Sequence, residues 1–114
     1  MISLYGIRNC DSCRKARKWL EAHDIEFRFE DIREAGLDEQ RLKKWQQRVG
    51  WEKLLNKKSV TWRKIPPFDR DDLDADRARA LLLEYPTVMK RPVLDAGTLV
   101  LVGFDAAEYA SIGS

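Results

Sequence analysis

Cys10 and Cys13, three positions apart in GIRNCDSCRKARKWL, are the two cysteines of a 114-residue chain. Three chemistries fit such a pair: a redox couple, half of a metal site, or two small residues that pack. A spacing of three returns the second thiol to the face of the first, within disulfide range, so that one can attack an oxidised sulfur and the other displace the product. Zinc needs four ligands for a closed site, and beyond these cysteines the chain offers one histidine, His23, and no second C-x-x-C. No metal site is expected. Free cysteines also pack as small hydrophobes, so the packing alternative stays open, more for Cys13 than for Cys10.

Cys10 stands where a strand-like run gives way to a helix-like one. With Cys10 at the N-cap and the helix starting at Asp11 or Ser12, unpaired amides and the positive end of the helix dipole point at its sulfur. Such a position favours thiolate, and the pKa should fall below its ordinary value. Arg14 adds to that field and Asp11 opposes it. A second chemical locus is VMKRPVL, where Pro92 opens a strand after two basic residues. A cis bond before Pro92, packed beside the thiol, would bring Arg91 close enough to grip an oxyanion or carboxylate through its planar fork. An ordinary trans strand-opener is the alternative. Lys57, Lys58, Arg63 and Lys64 make a basic loop that either attracts an anion or is simply solvated. Trp19 and Trp45 read as packing residues, and His23 as a solvated residue near a helix end.

These residues need elements to hold them. MISLYG alternates as a strand, DSCRKARKWLEAHD carries Ala16, Trp19 and Leu20 at helical spacing, and IEFRFEDI alternates again, which predicts a parallel strand–helix–strand crossover. Asp38 caps a helix EQRLKKWQQRV that Gly50 stops, with Leu42, Trp45 and Val49 on its apolar stripe. WEKLL continues as a short helix, and NKKSVTWRKIPPFDRDDL reads as a loop. DADRARALLLEYP is helical, RPVLDAGTLVLVGF forms a hairpin, and DAAEYASIGS begins a last helix at Asp105. The order predicts an α/β chain: a thioredoxin-like (glutaredoxin-like) mixed-sheet core with a helical insertion at about 36–86, in a single domain of residues 1–114. Lysine and arginine total 21 against 19 acids, too balanced for a nucleic-acid or membrane surface. No run approaches the length of a membrane span, and no signal segment opens the chain. The protein is expected in the cytoplasm, where a close cysteine pair reads as reactive rather than as a structural disulfide.

YGIRNCDSCRKARKWLE, GWEKLLNKKSVTWRKI and KRPVL, in this order and spacing, resemble the arsenate-reductase (ArsC) family, most closely its YffB branch, with the Spx regulators as cousins. The resemblance covers essentially the whole chain. It implies a thioredoxin-like core with a helical insertion, and action on thiols with glutathione as reductant and no tightly bound cofactor. By position Cys10 matches the family's nucleophile, Arg14 a basic residue of the same helix, and Arg91 with Pro92 the anion-binding arginine and cis-proline. Two departures argue against efficient arsenate turnover: where the arsenate reductases carry further arginines, this chain has Asn56 and Val102. Lys58 stands near the first of these places but lacks a bidentate grip. Cys13 is similar instead to the second cysteine of Spx, which implies a redox switch that binds RNA polymerase.

The expected function is therefore a glutathione-dependent thiol–disulfide oxidoreductase. Cys10 and Arg14 are its catalytic residues and Cys13 a resolving thiol. Arg91, Pro92 and Lys58 bind the substrate, a small thiol or oxyanion, and the state is monomeric. An Spx-like regulator is the alternative.

Overall fold

Alternating and helical patterns become thirteen short elements in the computed structural model, which describes residues 2–112. In chain order they are β1 (Ile2–Gly6), α1 (Asp11–Ala22), β2 (Phe27–Asp31), α2 (Ile32–Ala35), α3 (Glu39–Val49), α4 (Trp51–Leu54), α5 (Val60–Lys64), α6 (Pro67–Arg70), α7 (Ala75–Glu84), a 3₁₀ turn (Pro86–Val88), β3 (Val93–Asp95), β4 (Val100–Val102) and α8 (Ala106–Tyr109). The chain divides into two compact units. One runs up to Ile32 and resumes at Arg91; the other is Arg33–Lys90. The insertion expected at about 36–86 lies within the second.

In the first unit the strands form one sheet in the order β2-β1-β3-β4. β1 and β2 run parallel through α1, as the crossover pattern requires, and β3 and β4 make an antiparallel hairpin. The register sets Phe29 beside Leu4, Leu4 beside Leu94 and Leu94 beside Leu101, one apolar row across the sheet. Ala16 and Leu20 of α1 and Tyr109 of α8 join that row to form the core. Each fully buried leucine contributes about 1.5–3 kcal/mol relative to exposure, so this row fixes the sheet and, through Ala16 and Leu20, the axis of α1. α1 ends where His23 N–H returns to the Trp19 carbonyl and Asp24 turns to φ 56°. Short polar side chains tolerate that left-handed region better than most.

The second unit is helical. Asp38 caps α3 by accepting from Arg41 N–H at 2.9 Å, and Asp74 caps α7 by accepting from Arg77 N–H at 2.8 Å. Leu42 and Trp45 of α3 and Ala78, Leu81 and Leu82 of α7 are buried. The buried Gln46 amide is satisfied on both sides: it donates to the Ala75 carbonyl at 2.9 Å and accepts from Arg79 at 2.8 Å. The stretch 56–73, expected as a loop, instead carries two short helices. Ser59 caps α5 by accepting from Trp62 N–H at 3.1 Å, and Pro67 opens α6 at a position where its missing N–H costs no bond. Four or five residues are too few for a helical repeat to appear in sequence.

Candidate functional site

The turn from β1 into α1 presents Cys10. Gly6 ends β1, and a methyl group on it would collide with Cys13 Sγ, so the bare backbone is what lets Cys13 lie flat against the strand. Residues 7–9 then cross to Cys10, held by a buried acid: Asp31, at the end of β2, accepts from Arg8 N–H at 3.3 Å, with Arg8 Nη1 3.8 Å away. Gly6 and Asp31 are paired in the β1–β2 register, so strand pairing itself sets this anchor beside the turn.

Cys10 is the N-cap of α1 in extended conformation, and its side chain makes no capping hydrogen bond of regular geometry. The Cys13 amide of that first turn acts on the Cys10 sulfur. Partial burial alone would push the Cys10 thiol up, but the Cys13 amide and thiol and the Arg91 guanidinium outweigh it and bring the pKa below its ordinary value. Cys13 is fully buried, and burial pushes its thiol up to about 12, with the neighbouring Cys10 adding to the rise. One helical turn thus carries a partly exposed thiol that ionises readily and a buried one that stays protonated at neutral pH.

Three residues complete the surroundings. Arg91 acts on both sulfurs, and the Arg91–Pro92 peptide is cis, as expected. Pro92 is buried, and its carbonyl accepts from Gly103 N–H at 2.8 Å. Tyr109, wholly buried on α8, packs edge-on against Trp19 and Phe104 with ring centroids 5.5 and 4.9 Å away. Its phenol is held above the ordinary range, first by burial and then by Cys13, so it too stays neutral.

Cys10, Cys13 and Arg91 act on one another within one unit, which also holds Pro92. Arg14 is paired with Asp11, and the guanidinium that acts on Cys10 is that of Arg91. Lys58 belongs to the other unit, in a turn where its N–H donates to Asn56 Oδ1 at 3.1 Å. His23 is exposed and stacks on Trp19 with ring centroids 3.8 Å apart. Among the described residues no three His, Cys, Asp or Glu side chains converge as a metal-binding group, and no helix is long and apolar enough to cross a membrane. Sequence reasoning missed Gly6, Asp31 and Tyr109. Gly6 carried a signal, a glycine closing the strand before the turn; Asp31 read as one more charge in an alternating strand.

The profile of the ArsC family matches residues 5–112. A solved structure described as the YFFB protein is 40% identical, with 97% of each chain covered and a TM-score of 0.94. An arsenate reductase (ArsC) related protein from Brucella melitensis is 43% identical over 99% of this chain and 95% of its own, at a TM-score of 0.73. The global transcriptional regulator Spx of Enterococcus faecalis is 32% identical over 110 residues, 95% of this chain and 83% of its own length. The fold these likenesses define is thioredoxin-like.

Proposed function

The chain belongs to the ArsC family, and from that premise we propose that it is a glutathione-dependent thiol–disulfide oxidoreductase with Cys10 as nucleophile and Cys13 as resolving thiol. Family and fold are consistent with thiol-based reductase chemistry. The observation that supports the finer reading is the opposed ionisation of the two thiols on one helical turn.

Cys10 Sγ attacks one sulfur of a substrate disulfide; the substrate S–S bond breaks, and the departing thiolate takes a proton from water. The product is a mixed disulfide on Cys10. Cys13 is held protonated in part by the charge on Cys10, and that charge disappears once Cys10 is bonded. Cys13 then loses its proton, attacks Cys10 Sγ and releases the second half of the substrate as a thiol. Two glutathione molecules reduce the Cys10–Cys13 disulfide and leave as oxidised glutathione; alternatively one glutathione attacks the substrate sulfur of the mixed disulfide, which frees Cys10 as thiolate and leaves a glutathione–substrate disulfide. Arg91 holds the anionic end of the ligand through its fork. Arsenate fits poorly: Val102 is buried in β4, and Asn56 Oδ1 accepts from Lys58 N–H in its own turn.

Mass spectrometry of the reduced protein after exposure to oxidised glutathione tests this. The expected result is a glutathione adduct on Cys10 that accumulates in Cys13→Ser and is absent in Cys10→Ser. Retained turnover in Cys10→Ser would overturn the proposal. The likeness to Spx over 95% of this chain supports a second reading, a redox-dependent regulator. That reading requires RNA polymerase to be captured in one oxidation state of Cys10 and Cys13 and not in the other.

A further inference from the structure

α1 has a buried face, formed by Cys13, Ala16 and Leu20, and a solvent face whose composition packing does not explain. Arg17 and Lys18 lie three and four residues after Arg14, and Glu21 lies four and three residues after them, which places all four on one stripe. Together with Arg8, from the turn before Cys10, they line a cleft of about 220 Å³ within the first unit. Four cations and one carboxylate therefore face the same concavity, Arg8 from before the reactive thiol and the others from one turn beyond it.

The cations are held there in different ways. Arg17 lies over the Phe29 ring, 4.9 Å from its centroid, which fixes the stem while the guanidinium edge keeps its donors. Arg8 is drawn toward the buried Asp31, and Arg14 toward Asp11, a carboxylate 83% exposed that an incoming anion can displace. Lys18 and Glu21 are both exposed. At about 220 Å³ the cleft is smaller than the pockets that enclose whole drug-sized ligands. It is sized for one arm of a ligand whose reacting atom sits elsewhere.

We infer that this cleft is the binding subsite for the carboxylate-bearing arm of a small peptide thiol while its sulfur reacts at Cys10. The cations take the carboxylate, and Glu21, at the far end of the stripe, takes the ammonium of an α-amino-acid head, so both signs of a zwitterionic arm are met. A bare oxyanion leaves Glu21 opposed rather than used. This subsite rests on the thiol-exchange reading and adds a ligand class to it.

The test measures the rate of mixed-disulfide formation on Cys10, by stopped-time alkylation and mass spectrometry, with Cys13→Ser in every protein, the wild-type cleft included, so that the adduct is not resolved; the two probes are oxidised glutathione, and oxidised glutathione whose carboxylates are esterified. The wild-type cleft is expected to prefer the free acid by roughly tenfold, the lower end of electrostatic steering. In Arg17→Ala/Lys18→Ala that ratio is expected to fall toward one, whereas Lys15→Ala, which removes an exposed cation of α1 that does not line the cleft, is expected to keep it. Circular dichroism checks that each variant folds. A ratio near one with the wild-type cleft, or an equal loss in Lys15→Ala, overturns the subsite while leaving Cys10 as nucleophile. Absence of any adduct on Cys10 even with Cys13→Ser in place overturns the thiol-exchange reading itself, and the subsite with it.

Discussion

Of the three helices of ten residues or more among the described residues, the one that carries the cysteines begins differently. α3 and α7 start on Asp38 and Asp74, whose carboxylates accept first-turn N–H groups, and α5 starts on Ser59, whose hydroxyl does the same. α1 starts on Cys10, without a regular side-chain cap. An aspartate, asparagine or serine cap is worth about 0.5–2 kcal/mol over a non-capping residue. At α1 the chain forgoes part of that stabilisation and leaves its first-turn amides, together with Arg91, to favour a thiolate. The single-turn helices α4 and α6 also start without a side-chain cap, but among the long helices the start left uncapped is the one that bears the thiol, a local cost of the kind functional sites carry.

Substitution across this contrast gives outcomes ordered by size. Cys10→Asp should eliminate glutathione-linked exchange and at the same time raise stability by about 1 kcal/mol, because a true cap replaces the thiol; turnover and urea denaturation on one preparation read both. A stability loss there would mean that Cys10 already serves as an effective cap. Gly6→Ala should cost about 1–3 kcal/mol as the new methyl drives into Cys13 Sγ. Combining it with Cys13→Ala should recover most of that loss, a coupling that independent sites would not show. Arg91→Ala should slow Cys10 alkylation by roughly fivefold at neutral pH, because removing the cation raises the thiol pKa and shrinks the thiolate fraction. Its pH profile should move upward rather than merely shrink in amplitude. Asp74→Ala, at the conventional end of the contrast, should cost about 1 kcal/mol in urea denaturation and leave the Cys10 pH profile where it was.

The reactive end of α1 was legible in sequence because strand, glycine, polar turn and helix follow one another in a dozen residues and put Cys10 at a boundary that two periodicities define. Cys13 was legible as a face-mate of Cys10. Its burial was not, since that depends on the Gly6 backbone lying directly opposite, a contact between elements rather than within one. Asp31 was hidden for the same reason: in FRFED it looks like another solvent-facing charge, and only the β1–β2 register turns it inward beneath Arg8. At Arg14 the sequence showed the cation but not its partner: Asp11, three residues back, pairs with it. The helices at 60–64 and 67–70 escaped notice because their signals are caps and a proline rather than a repeat.

The decisive experiment is the pH dependence of alkylation at each cysteine, followed by peptide mass spectrometry on the reduced wild-type protein between pH 5 and about 10, a span chosen to bracket ordinary thiol ionisation near 8.5. Cys10 should react at a rate that is flat at high pH and falls tenfold per unit only below an inflection lying under the ordinary thiol value, while Cys13, with its pKa pushed up to about 12, stays unreactive across the range. Two cysteines inflecting together near the ordinary thiol value would show that the start of α1 confers no special reactivity on Cys10.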